Sequence, residues 1–163
     1  MAQTLAKERP RSKPWYFEQA IDIKARPQDV FAFVDDIHHT GWHMEKSSMP
    51  MMGGKMEVEI LSKNRTGLGA TYRWTGRVLG MPIDFSETVV KYAKDKERVW
   101  RTIGEPKIII IGHYEMGFKL TTIQRSTRLT IYISYELPKP LFGKFLGWLL
   151  SGWYSKWCLK KYV

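Results

Sequence analysis

The residue with the most chemical promise is Glu87. It lies in the run 82–92, where Ile83, Phe85 and Val89 alternate with Asp84, Ser86 and Thr88. Such alternation marks a strand with one apolar face, and Glu87 shares the parity of the apolar side. A carboxylate among apolar groups needs a partner or a raised pKa. It could then act as a general base or anchor a polar atom of a ligand. The competing arrangements are a pair with Arg101 or another cation near the sheet edge, or a bulge that turns the group outward.

A set of aromatic residues accompanies it. Tyr72, Trp74, Phe85, Tyr114, Phe118, Trp153 and Trp157 all fall on apolar faces of their segments. Ligand pockets are mostly apolar walls with a few placed polar groups, and a Trp in such a wall also offers its N–H. The same rings would equally serve a filled core. His38, His39 and His43 cluster near Glu45, and His39 and His43 are four apart, a spacing that zinc ligands on a helix use. Gly41 weakens that helix, and neither HExxH nor a cysteine pair is present, so no metal and no cofactor are expected. His113 has the opposite parity to Tyr114 and Met116 and is expected to face solvent.

No nucleophile is set up. The chain lacks a GxSxG elbow, and Cys158 has no identifiable base. Gly67 and Gly69 lack the residues that complete a dinucleotide or phosphate loop, and read as a turn into a strand. Arg73 and Arg77 alternate with Tyr72 and Trp74, so cations and rings take opposite faces. That separation argues against a stacking and phosphate platform for nucleic acid.

The elements that must position these residues follow from periodicity. Residues 1–14 are polar and basic with two prolines, and a disordered basic arm is expected. Residues 15–24 alternate as a strand. Pro27 suits a first helical turn, and Val30, Phe33, Val34 and Ile37 give that helix its apolar stripe. A second short helix or turn runs through Trp42, and residues 47–54 read as loop. Strand-like runs follow at 56–60, 68–79, 82–92, 97–103, 107–122 and 127–137. Gly80, Asp95-Lys96 and Gln124-Arg125-Ser126 mark tight connections. Period two in run after run means antiparallel sheet.

The segment 140–163 closes the chain. Wound as a helix, it puts Phe142, Phe145, Leu146, Leu149, Leu150, Trp153 and Trp157 on one side. Lys144, Gly147, Ser151 and Ser155 fall on the other. Helices do not alternate with strands, so the class is α+β. The expected architecture is a curved antiparallel sheet of six to seven strands wrapped around a long C-terminal helix, with two short helices after the first strand.

Composition sets the bounds. At 163 residues with 44% hydrophobic content, a single domain over 15–163 is long enough to build a core without staples. One cysteine excludes an intrachain disulfide framework. The basic start has no apolar run behind it, so no secretory signal is expected, and a cytoplasmic location fits. The last segment is too interrupted by Lys144, Lys156 and glycines for a comfortable membrane span. A net charge of +10 favours anionic partners, but the basic residues are scattered. The Trp-rich last segment with lysines at its end also has the composition of a helix lying on an anionic membrane surface.

The element order resembles the START-like superfamily, also called SRPBCC or helix-grip, which includes polyketide cyclase-like proteins, plant pathogenesis-related allergens and lipid-transfer domains. The matching words are RPQDVFAFVDDI at 26–37 and then Trp42, GLGATYRWTG at 67–76, IDFSETVVKY at 83–92 and STRLTIYISYELP at 126–138. The resemblance implies a deep apolar cavity between sheet and last helix. Its wall would take Trp42, Tyr72, Trp74, Phe85, Glu87, Tyr114, Met116, Phe118, Trp153 and Trp157. It implies a small hydrophobic ligand, such as a lipid or polyketide, bound and carried. The alternatives are a cyclase or dehydratase with Glu87 as candidate catalytic residue, and a peripheral membrane protein that binds lipid. The fold does not choose among them, and the oligomeric state stays open.

Overall fold

The computed structural model describes residues 14–37, 39, 55–78, 80–108 and 111–137. Strand β1 (Trp15–Ile23) leads into helix α1 (Pro27–Asp35). Six strands follow: β2 (Lys55–Ile60), β3 (Thr71–Val78), β4 (Met81–Ala93), β5 (Glu97–Lys107), β6 (Tyr114–Ile123) and β7 (Ser126–Tyr135). They form one seven-stranded sheet in the order β1-β7-β6-β5-β4-β3-β2, with every pair antiparallel. Consecutive strands from β2 to β7 are neighbours, because short connections allow only that. Strand β1 then closes on β7.

The alternating residues become two faces. Tyr72, Trp74, Ile83, Phe85, Val89, Trp100, Met116, Phe118, Leu129, Ile131 and Ile133 are buried on the inner one. Burying each large side chain contributes about 1.5–3 kcal/mol. The outer face carries polar residues and charge pairs. Arg73 lies against Asp84 (Nη2–Oδ2 2.8 Å) and Arg128 against Asp22 (Nε–Oδ1 2.7 Å). Both pairs are exposed, and solvent screens each to a small contribution.

Helix α1 begins at Pro27, with no capping side chain, and Asp29 in its first turn pairs with Arg26 at 2.9 Å. It packs against β6 and β7. Its buried apolar residues are Val30, Phe31 and Val34, followed by the buried Asp35 and Ile37. Phe31 meets the rings of Phe118 and Tyr92 edge-on. Phe33, expected in the stripe, faces outward instead and stacks on His39 at 4.7 Å. Residue 31 lies on the same side as 27 and 34, and that side meets the sheet.

Two strand boundaries differ from the periodicity. The run 107–122 is not one strand: β5 extends to Lys107, and β6 starts at Tyr114. The four isoleucines at 108–111 are apolar at both parities, so hydrophobicity alone does not mark where β5 ends. Strand β3 starts at Thr71, after Gly67 (φ 93°) and Gly69 (φ 80°) have turned the chain. Left-handed backbone of that kind favours glycine. His113 is half-buried, not solvent-facing, with its Nδ1 3.3 Å from the Thr102 hydroxyl. The expected basic arm (apart from Pro14), Trp42, the loop 47–54 and the segment 140–163 lie outside the described residues. Among the described residues, no helix is long and apolar enough to cross a membrane.

Candidate functional site

Cross-strand register assembles the site. Tyr72 stands opposite Glu87, and Glu87 opposite Thr102; Trp74 stands opposite Phe85. Side chains directly across or one step diagonal can touch. Trp74 makes the diagonal step: its indole Nε1–H donates to Glu87 Oε1 at 3.0 Å. From β6, the Tyr114 hydroxyl donates to Glu87 Oε2 at 2.6 Å. Thr102 holds the start of β6 by accepting the Tyr114 backbone N–H at 3.1 Å. Tyr72 anchors its own hydroxyl on the Arg65 carbonyl at 2.5 Å.

Glu87 is therefore an inward carboxyl with only 4% of its surface exposed. Its partners are a Trp and a Tyr. Arg101, the cation weighed from sequence, is exposed on the other face. Burial pushes the Glu87 pKa above the ordinary carboxylate value. The hydrogen bonds from Tyr114 and Trp74 and the nearby charge of Arg98 oppose that rise without cancelling it. Such a group can hold a proton or take one.

A second polar station lies on the same face. Arg98 is 2% exposed. Its Nη1 donates to the Asp35 carbonyl at 2.7 Å and to Asp35 Oδ1 at 3.1 Å. The guanidinium sits 5.2 Å from the Trp100 ring centre and 5.6 Å from that of Tyr72, within cation–π range. Tyr92 donates to Asp35 Oδ2 at 2.8 Å, and burial, then that bond, push its own pKa up to about 12. Tyr92 reaches the inner face through a bulge. Val89 pairs with Trp100 and Lys91 with Val99, leaving Val90 as the extra residue. One extra residue reverses the parity of everything after it.

Of the residues singled out in the sequence, Tyr72, Trp74, Phe85, Glu87, Tyr114, Met116 and Phe118 share one face. Phe85 and Tyr114 meet edge-on at 6.1 Å. Trp42, Trp153 and Trp157, with His38, His43 and Glu45, lie outside the described residues. His39 is exposed, 3.6 Å from Asp36. Among the described residues, no group of three or more metal-ligating side chains comes together. Periodicity placed Tyr135 on the apolar face with Leu129, Ile131 and Ile133, and missed Arg98, Asp35 and Tyr92. The signal for Arg98 was present, because it shares parity with Trp100; Tyr92 was hidden by the bulge.

The family model for "Polyketide cyclase / dehydrase and lipid transport" matches residues 14–160. A search of curated proteins finds no match. Solved structures do resemble the chain. The protein TTHA0849 of Thermus thermophilus has a TM-score of 0.65 at 16% identity, covering 90% of this chain and 93% of its own. The ZhuI aromatase/cyclase of Streptomyces sp. R1128 has 0.65 at 12%, covering 91% of each. Ara h 8.0201 has 0.61 at 13%, covering 91% and 95%. Identities this low show the fold alone: a curved sheet of the helix-grip type.

Proposed function

Because the chain belongs to the polyketide cyclase / dehydrase and lipid transport family, we propose that it binds a small hydrophobic molecule against the inner face of its sheet, and by binding carries it. The observation that supports this most is the make-up of that face. Tyr72, Trp74, Phe85, Trp100, Met116 and Phe118 offer a broad apolar wall, and a few fixed polar groups are set into it. That is the composition of a ligand pocket. The segment 140–163 would supply the other wall, with Trp153 and Trp157 toward the ligand and Lys144 and Ser151 toward solvent. Mass spectrometry of molecules that co-purify with the native protein should find an apolar compound, and an added apolar probe should change Trp emission. A protein that carries nothing and binds no apolar probe would end this reading.

The second reading is an enzyme of cyclase or dehydratase type. The buried Glu87, with its raised pKa and two donors, favours it. Glu87 would remove a proton beside a ligand carbonyl, and Tyr114 would steady the charge that forms. On a polyketide-like substrate, Glu87→Gln should lower turnover by about 10²–10⁴-fold with the fold intact. Turnover at the wild-type level would remove Glu87 from the mechanism.

A further inference from the structure

Two buried polar atoms on the inner face have no hydrogen-bond partner among the described residues: Arg98 Nε and the Tyr135 hydroxyl. Their residues are 2% and 1% exposed. Leaving a buried donor unpaired is costly, and native chains do so rarely. Arg98 spends Nη1 on Asp35, so its orientation is set by α1 and not by the free Nε–H. Tyr135 is held by the Phe17 ring, stacked at 6.3 Å. Both atoms are fixed by other contacts, and both can donate. Arg98 Nε only donates, so a molecule that completes it must bring an acceptor, and the Tyr135 hydroxyl can donate to one as well.

Charge decides which kind of acceptor. Among the described residues, the buried carboxyl and basic side chains are Asp35, Glu87 and Arg98. Asp35 already balances Arg98 at 3.1 Å. The described part of the interior is therefore neutral when Glu87 is protonated and negative when it is not. Neither state compensates an incoming anion, and an unpaired charge in an apolar interior is expensive. Position adds a constraint. Arg98 is opposite Phe118, and Phe118 opposite Ile131. Tyr135 lies four residues further along β7, about 13 Å at the usual strand rise.

We infer that the ligand is an uncharged, elongated apolar molecule bearing carbonyl, ester or hydroxyl oxygens, which accept from Arg98 Nε toward one end and from the Tyr135 hydroxyl toward the other. This inference rests on the reading that the inner face holds a ligand. It excludes ionised fatty acids and bare hydrocarbons as preferred occupants.

The test is displacement of Nile red by dodecane, dodecanone and dodecanoate, at about pH 8, where the acid is ionised in water. One good hydrogen bond corresponds to about tenfold in affinity. The ketone should bind about tenfold tighter than the alkane and at least as far ahead of the carboxylate. Tyr135→Phe removes a hydroxyl with no partner among the described residues and should keep its fold. Arg98→Lys keeps a cation beside Asp35 but loses Nε. The ketone's advantage over the alkane should fall in at least one of the two. Equal binding of the three would overturn the inference and leave the binding role standing, as would tightest binding of the carboxylate, or an advantage that survives in both variants. If Nile red and all three compounds fail to bind, the binding role falls and takes this inference with it.

Discussion

Glu87 reports on its surroundings through pH. Its pKa is raised in the folded protein from the ordinary value of 4.5. The folded state therefore holds that proton more tightly than the unfolded chain, and stability from this group is present at low pH. It is lost as pH rises from the ordinary carboxyl range through the raised value. Gln at this position can still accept from Trp74 or Tyr114 and has no proton to lose. Thermal unfolding of wild type and Glu87→Gln between about pH 4 and about pH 8 should show the variant gaining on wild type as pH increases. A gap that stays constant across that range would contradict the shift. Tyr114→Phe removes one of the two donors to Glu87. The cost should be about 1–3 kcal/mol in urea unfolding. The inward parity of Glu87 was legible in the sequence because Ile83, Phe85 and Val89 flank it in period two. Its partners were not, because Trp74 and Tyr114 are 13 and 27 residues away.

The helix and the strands depend on one another through a few contacts. Asp35, the last residue of α1, ties it to β5 through Arg98 and to β4 through Tyr92. Asp35→Ala would strand a buried guanidinium. A loss of about 3–5 kcal/mol is expected from denaturant unfolding, and a loss under about 1 kcal/mol, the size of an exposed pair, would mean that the cation escapes to water. On the outer face, Tyr132 lies over Gly117 on the neighbouring strand and stacks on Tyr16 at 6.0 Å. A Cβ at Gly117 would meet the Tyr132 ring at 2.8 Å. Gly117→Ala should therefore cost about 1–3 kcal/mol. Most of that cost should vanish in a Tyr132→Ala background, and an equal cost in both backgrounds would point to the backbone instead. Strand existence was readable from alternation. The Val90 bulge was not, because a bulge is a property of two paired strands and neither one carries it alone.

For the molecule as a whole, the wall proposed for segment 140–163 and the net charge of +10 make separable predictions. Exposed charge attracts anionic vesicles at low ionic strength, and that attraction should be gone near about 0.15 M salt, where screening acts within about 8 Å. Vesicle binding that persists in salt would mean that the apolar side of segment 140–163 enters lipid, and its proposed place as the second wall would be wrong. The sequence by itself determined the antiparallel sheet, the order of its strands along the chain and, as far as the Val90 bulge in β4, which face is apolar. Those are local properties, written in period two and in turn residues. It also carried the family resemblance over nearly the full chain. Only the tertiary structure decided that Glu87 is met by Trp74 and Tyr114 and that Arg98 is claimed by Asp35. The same holds for Tyr92 joining the inner face, and for two donors there that find no acceptor among the described residues. Pairing, parity after a bulge and burial arise when distant segments meet, and no single segment holds that information.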